Sequence, residues 1–301
     1  MRDYAISCCS TVDLNAALLR ENEVHCLYFS YTVDGIPYRD DFGESLPLSE
    51  FYRRMTSGSS THTTQIPTAD YLDYFEEVLA SGRDVLHISM SSGMSGTVRS
   101  ARAAAAIAAE RHPEGRVVVI DSLCESCGYG MLVLEAARLR RKGVSLDRTV
   151  DWIEKNKMRM EHWFFSTDLT YSVRGGRVSR AEGFIDGLLG ICPVMSVDAG
   201  GRMVLRARAR SRHRALSDVV SRMERYASDS LSYKGRCCIS HSAVPDAAEQ
   251  LARRVQDRFR DLDGGVSIHE LGTVAGCRSG PGTVALFFWG DGRVPGAARP
   301  C

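Results

Sequence analysis

The sequence predicts an α/β protein of two domains, and three observations predict it. Its 301 residues are twice the roughly 150 of a typical domain. Apolar runs of strand length alternate with helical patterns from end to end, the order that builds a parallel sheet under covering helices. Charged residues at 25% and hydrophobic ones at 44% suit a globular chain with a sizeable core. The rhythm breaks over 168–190, rich in Gly and Arg. A boundary is set near 160, giving a Rossmann-like domain over 1–160 and a second α/β domain over 161–301.

The elements follow in order. Strands are expected at 4–8, 24–33, 84–90, 116–121, 162–167, 193–197, 235–241, 265–270 and 283–289. Helices are expected at 68–81, 97–111, 129–142, 146–160, 210–228 and 245–260. Asp34-Gly35 is a type I′ turn signal, so a small hairpin interrupts the alternation. The longest apolar run, 103–109, falls far short of the roughly 18 residues of a membrane span. No apolar stretch with a cleavage site follows Met1, and a cytoplasmic protein is expected.

Charge and cysteine content narrow the function classes. Lys+Arg at 38 against Asp+Glu at 37 gives a net charge of +1, which argues against a dedicated nucleic-acid binder. Lysine accounts for only four of the basic residues, Lys142, Lys155, Lys157 and Lys234; the rest are arginine. The ten cysteines include the CxxC of Cys124 and Cys127 and the pairs Cys8-Cys9 and Cys237-Cys238. No second pair stands at ligand spacing, so free thiols are expected rather than a metal.

Four loops carry polar chemistry. The first, 57–65, places Thr63 and Thr64 ahead of a helix opened by Pro67; its hydroxyls serve either an anion or the turn and cap. The second is Ser91-Ser92-Gly93-Met94-Ser95-Gly96-Thr97. Glycine and hydroxyls at a strand-to-helix turn form a natural anion cradle. It lacks the lysine of a P-loop and the closing glycine of a nucleophile elbow, so binding is favoured over catalysis by Ser95. The third, Asp121-Ser122 with Gly128-Tyr129-Gly130, has Val133 where a dinucleotide fingerprint needs glycine or alanine; it reads as a loop and helix cap. The fourth is arginine-rich: Arg174, Arg177, then Arg202, Arg206, Arg208, Arg210, Arg212 and Arg214. Such a run is either a solvated basic face or, with Arg206, Arg208 and Arg210 alternating along one strand face, a partner for carboxylate or phosphate. Arg278 sits on a further glycine-rich turn, 276–282.

Taken together these segments resemble the DegV family, bacterial fatty-acid-binding proteins that act as the acyl-carrying subunit of fatty acid kinase. The family's TSQP, SSGLSGTY, VIDS, GGR and GAHTGPG motifs have ordered counterparts here. They are Thr63-Thr64-Gln65, 91–97, Val119-Ile120-Asp121-Ser122, Gly175-Gly176-Arg177 and 276–282. The resemblance implies two α/β domains, with an acyl chain buried in the C-terminal one and its carboxyl group at the junction. It implies that Thr63 and Ser95 bind the carboxyl group, joined by Arg278 in place of the family histidine. Thr64, Ser91, Ser92, Gly96, Arg177 and Arg210 are implied as further head-group or kinase-docking residues. Cys9 stands where the early TDST motif has aspartate, and Ile66 where TSQP has proline.

Arginine stays charged and can bind a carboxylate bidentately, whereas histidine can exchange a proton near pH 7. Carboxylate binding at least as good is therefore expected, with phosphoryl transfer weakened or altered. Candidates for the acyl lining are Phe164, Phe165, Phe184, Ile185, Leu188, Leu189 and Ile191, each equally readable as plain core. The resulting expectation is a non-enzymatic carrier without cofactor or metal. It takes a long-chain fatty acid as ligand and a fatty acid kinase subunit as partner. The alternatives are a carrier of another anionic lipid without a kinase, or a serine hydrolase using Ser95.

Overall fold

The computed structural model describes residues 2–168, 170–174, 176 and 191–293. Strands β1 (Tyr4–Cys9), β2 (Val24–Leu27), β6 (Asp84–Ser89) and β7 (Val117–Asp121) form a parallel sheet in the order β2-β1-β6-β7. Every residue of β1 and β6 is buried, which is why these strands read as largely apolar runs rather than alternating ones. Parallel neighbours need long crossovers. These contain α1 (Ala16–Glu21), α3 (Thr68–Ala80) and α4 (Thr97–Arg111). The Asn15 side chain caps α1 by accepting from Leu18 N–H at 2.7 Å.

The expected single strand over 24–33 is two. Phe29 N–H donates to the Ser10 hydroxyl at 3.1 Å, which withdraws it from a strand ladder. Beyond that break the chain leaves the parallel sheet and forms a three-stranded antiparallel one. Its strands β3 (Ser30–Val33), β4 (Ile36–Arg39) and β5 (Thr61–Thr64) lie in the order β4-β3-β5. Asp34 and Gly35 both have positive φ, 50° and 81°, as a type I′ turn requires. Helix α2 (Leu48–Thr56) packs Phe51, Tyr52 and Met55 against Tyr31 and Val33.

From Met160 onward the strands join a third sheet. It contains β8 (Met160–Ser166), β9 (Cys192–Val197), β10 (Met203–Ala209), β11 (Cys237–His241), β12 (Val266–Glu270) and β13 (Thr283–Trp289). The order is β10-β9-β8-β13-β11-β12. Among these strands β11 and β12 pair in parallel and the other pairs are antiparallel. The parallel expectation therefore holds for the first half of the chain and fails for the second. Trp163, Phe165, Val194, Val284, Leu286 and Phe288 form one core with α8 (Arg212–Tyr226) and α9 (Pro245–Arg258).

The opposite face of that sheet meets the first domain. Helix α5 (Ser126–Arg141), packed on α6 (Leu146–Asn156), touches β1 and β6 on one side and β8, β11 and β13 on the other. One continuous core results, in which Cys127 and Met131 join Ile6 and Leu86 to Cys238 and Phe287. The Gly128-Tyr129-Gly130 segment thus lies inside α5 and is more than a loop and cap. A Cβ at Gly128 would stand 2.3 Å from His162 Nε2, too close for either group. Gly128→Ala is expected to cost about 1–3 kcal/mol through overpacking, measurable by denaturant unfolding. An unchanged midpoint would refute the close approach.

Of the two readings of the arginine run, the stripe along one strand face at 206–210 does not form. The register slips between Leu205 and Ala207, leaving Arg206 as an extra, bulged residue. Arg206 Nε donates to Ser196 Oγ at 2.8 Å. Arg208 lies opposite Pro193, on the sheet face of Met195 and Leu205, while Ser196 projects from the other.

Candidate functional site

The faces of the six-stranded sheet decide where the cavity lies. Alternate residues His162, Phe164 and Ser166 of β8, Met195 and Val197 of β9, Met203 of β10 and Thr283, Ala285 and Phe287 of β13 line it. Met94, Ser126, Leu271 and Ala275 contribute from the other side. The empty space, its opening included, is about 660 Å³. From His162 to Ser166 is four residues of strand, or about 13 Å.

The two ends differ in chemistry. At one, His162 is buried and Glu125 N–H donates to its Nε2 at 3.2 Å, while Nδ1 lies 3.1 Å from the Met160 carbonyl. With Nε2 accepting, Nδ1 carries the proton. Burial, reinforced by the charge of Arg293, holds this ring well below the ordinary histidine range, so it is neutral. At the other end stand Ser166, Ser172, Ser279, Thr283 and Arg278.

Arg278 is carried by α10 (Thr273–Ser279), a short helix packed on α2, β3, β5 and α7 (Thr170–Arg174). Residues 276–282 were expected as a glycine-rich turn; the helix runs to Ser279, with Gly280 and Gly282 at positive φ after it. Position 276 calls for glycine although it is helical, because a Cβ there would meet Tyr52 and Phe51 of α2 at 2.6 and 2.9 Å. Arg278 Nη1 donates to the Met94 carbonyl at 3.1 Å and Nη2 to Thr63 Oγ1 at 3.4 Å.

The structure thus brings Thr63 and Arg278 together, one from each half of the chain. Ser95 follows Met94 and is 7% exposed; its hydroxyl accepts from Thr97 N–H at 3.3 Å. Among the described residues no histidine or carboxylate is hydrogen-bonded to Ser95, and a serine nucleophile needs such a base. The 91–97 loop does not present an open row of N–H groups. Ser92 N–H donates to Asp121 Oδ1, Gly93 N–H to Ser91 Oγ, and Met94 and Ser95 N–H to the Ser91 carbonyl. What the loop offers Arg278 is the Met94 carbonyl.

The remaining predicted residues are spread out. The Ser91 hydroxyl is buried and donates to the Gly201 carbonyl at 2.7 Å, clasping the two halves of the chain. Ser92 and Thr64 are exposed, and Gly96 opens α4 beside the Gln65 side chain. Arg210 is exposed in the bend after β10. Arg177, with Phe184, Ile185, Leu188 and Leu189, lies outside the described residues. Of the other lining candidates, Phe164 faces the cavity, Phe165 belongs to the opposite core, and Ile191 is not among the lining residues. The three methionines, Met94, Met195 and Met203, were missed. Alternation along β9 and β10 was the available signal, but it does not say which face is hollow.

Two buried carboxyls stand behind α10. Asp13 Oδ1 accepts from Gly272 N–H at 2.8 Å, and Asp40 Oδ1 from the Thr273 hydroxyl at 2.5 Å. Burial raises both above the usual carboxylate range, Asp13 well above its ordinary 3.8. A raised acid adds stability that is fully present below the unfolded value and lost as pH rises through the folded one. Wild-type protein should therefore lose stability relative to Asp13→Asn as pH climbs above about 4, by roughly 1.4 kcal/mol per unit between the two pKa values. Unfolding curves of both proteins between pH 4 and 8 check this; parallel curves would count against it.

A cavity with apolar walls and a guanidinium at one end, set between two α/β units, is the arrangement that suits an amphipathic anion. The chain belongs to the DegV family, whose profile matches residues 4–291. A DegV domain-containing protein of Clostridium perfringens is 28% identical over 295 residues, covering 98% of this chain and 100% of that one. The fatty-acid-binding DegV family protein of Thermus thermophilus superposes with a TM-score of 0.86 at 28% identity, covering 96% of this chain and 100% of its own. The Streptococcus pneumoniae fatty acid kinase (Fak) B3 protein, loaded with linoleic acid, shares the fold. Its TM-score is 0.82 at 20% identity, covering 96% and 100% of the two chains. Among the described residues no helix is long and apolar enough to cross a membrane.

Proposed function

We propose that this protein is a cytoplasmic carrier of a long-chain fatty acid, which it presents to a separate kinase subunit for conversion to acyl-phosphate. The observation that carries the reading is the apolar cavity ending on Arg278. The acyl chain lies along His162, Phe164, Met195 and Phe287, and the carboxylate meets Arg278 and Thr63, with Ser95 beside them. The planar guanidinium fork matches a carboxylate. About ten buried methylenes contribute roughly 8 kcal/mol gross, from which association costs are subtracted. Fatty acid binding by the Thermus thermophilus relative supports the ligand class, and the Fak B3 neighbour supports the kinase partner. The kinase supplies ATP and magnesium in this reading. The cysteines seen in the described residues are free thiols, which suits a reducing compartment.

Native mass spectrometry of protein purified from cells, followed by lipid extraction, tests the ligand. A fatty acid released on denaturation is the expected result. Lipid-free protein that takes up no added fatty acid would sink the reading.

A further inference from the structure

A seven-residue helix is marginal on its own, yet α10 carries Arg278 in its last turn. Its first turn is fastened to the N-terminal half of the chain. Asp13 follows β1 in a left-handed conformation (φ 50°) and accepts from Gly272 N–H. Asp40 directly follows β4 and accepts from the Thr273 hydroxyl. The two carboxyls are 4% and 3% exposed. Beside them the Tyr52 hydroxyl donates to the Leu271 carbonyl at 2.8 Å. Neither aspartate is among the residues lining the cavity.

We propose that Asp13 and Asp40 are positioning residues for carboxylate recognition: they hold the first turn of α10 so that Arg278, five residues on, faces the Met94 carbonyl and Thr63. The inference rests on the fatty acid reading of the cavity. Both aspartates act through the helix, and their loss lets the guanidinium wander while the apolar walls, built on the sheet, stay in place. Hydrogen bonds to a charged group depend steeply on distance and angle. Head-group recognition should therefore suffer while chain binding does not.

The test compares hexadecanoic acid with hexadecan-1-ol, which share a chain and differ in head group, by displacement of a fluorescent probe. Asp40→Ala, Asp13→Ala and Thr273→Val are expected to lower the acid-to-alcohol affinity ratio by roughly tenfold, with the alcohol bound as in wild type. Asp13→Asn keeps an acceptor for Gly272 and should retain the ratio. Thr273→Val removes one hydroxyl at nearly constant volume and carries the test if the alanine variants do not fold. An unchanged ratio in folded Asp40→Ala and Thr273→Val overturns the proposal. So does an equal fall for both ligands, which marks a general structural role. Wild-type protein that binds neither ligand overturns the fatty acid reading itself, and the inference with it.

Discussion

Arg278→Ala should weaken fatty acid binding by about ten- to a hundredfold, the worth of a hydrogen bond to a charged group. The guanidinium bridges the Met94 carbonyl and Thr63 Oγ1, so truncation removes the charge and unties two loops. Calorimetric titration with a fatty acid reads the effect, with thermal unfolding as a control on the fold. The fatty alcohol of the same chain length should bind the variant and the wild type alike. An unaltered dissociation constant for the acid would place the carboxylate elsewhere and dismantle the site as described.

Ala285→Phe should weaken binding by about a hundredfold while leaving the sheet intact. Ala285 is 6% exposed and lines the cavity, opposite Phe164 on one neighbouring strand and Ser240 on the other. A phenyl ring there occupies space that the acyl chain needs. Excluding four methylenes forfeits roughly 3 kcal/mol, or about a hundredfold in affinity. The added ring costs the fold about 1–3 kcal/mol at most if it fills empty space. Retained binding at wild-type affinity would show that the chain runs along another face, and the cavity would lose its meaning.

Much of the architecture was legible because its determinants are local. The strands β1, β6 and β7 announced themselves by apolar runs, α4 by its alanine run, and the β3–β4 hairpin by Asp34-Gly35. The six-stranded sheet was misjudged as parallel, because β-then-α order is shared by antiparallel strands with helices in their connections. Helix α10 was misread as a turn. Glycine disfavours helix by about 1 kcal/mol in isolation, and the close approach of Tyr52 and Phe51 that calls for Gly276 comes from residues far away in sequence. The bulge at Arg206 likewise depends on its partner strand, and no spacing rule applied to 206–210 could reveal it.

The site shows the same division. Motif order pointed to Thr63, Ser95 and Arg278, and Thr63 and Arg278 do meet across 215 residues of chain. The 91–97 loop was read as an anion cradle, but its amides are largely consumed by Ser91 and Asp121. Local composition says which groups a loop owns. Whether those groups are spent depends on what packs against it.

By itself the sequence determined most of the strands and longer helices, the Asp34-Gly35 turn and the family to which the chain belongs, since these follow from residue period, backbone preference and motif order. Tertiary structure decided which side of each strand is hollow. Phe164 and Phe165 are identical in chemistry and adjacent in sequence, yet one faces the cavity and the other lies in the opposite core. Successive strand residues point to opposite faces. The choice between them was made by α5 and α10 lying on one side of the sheet and by α8 and α9 filling the other.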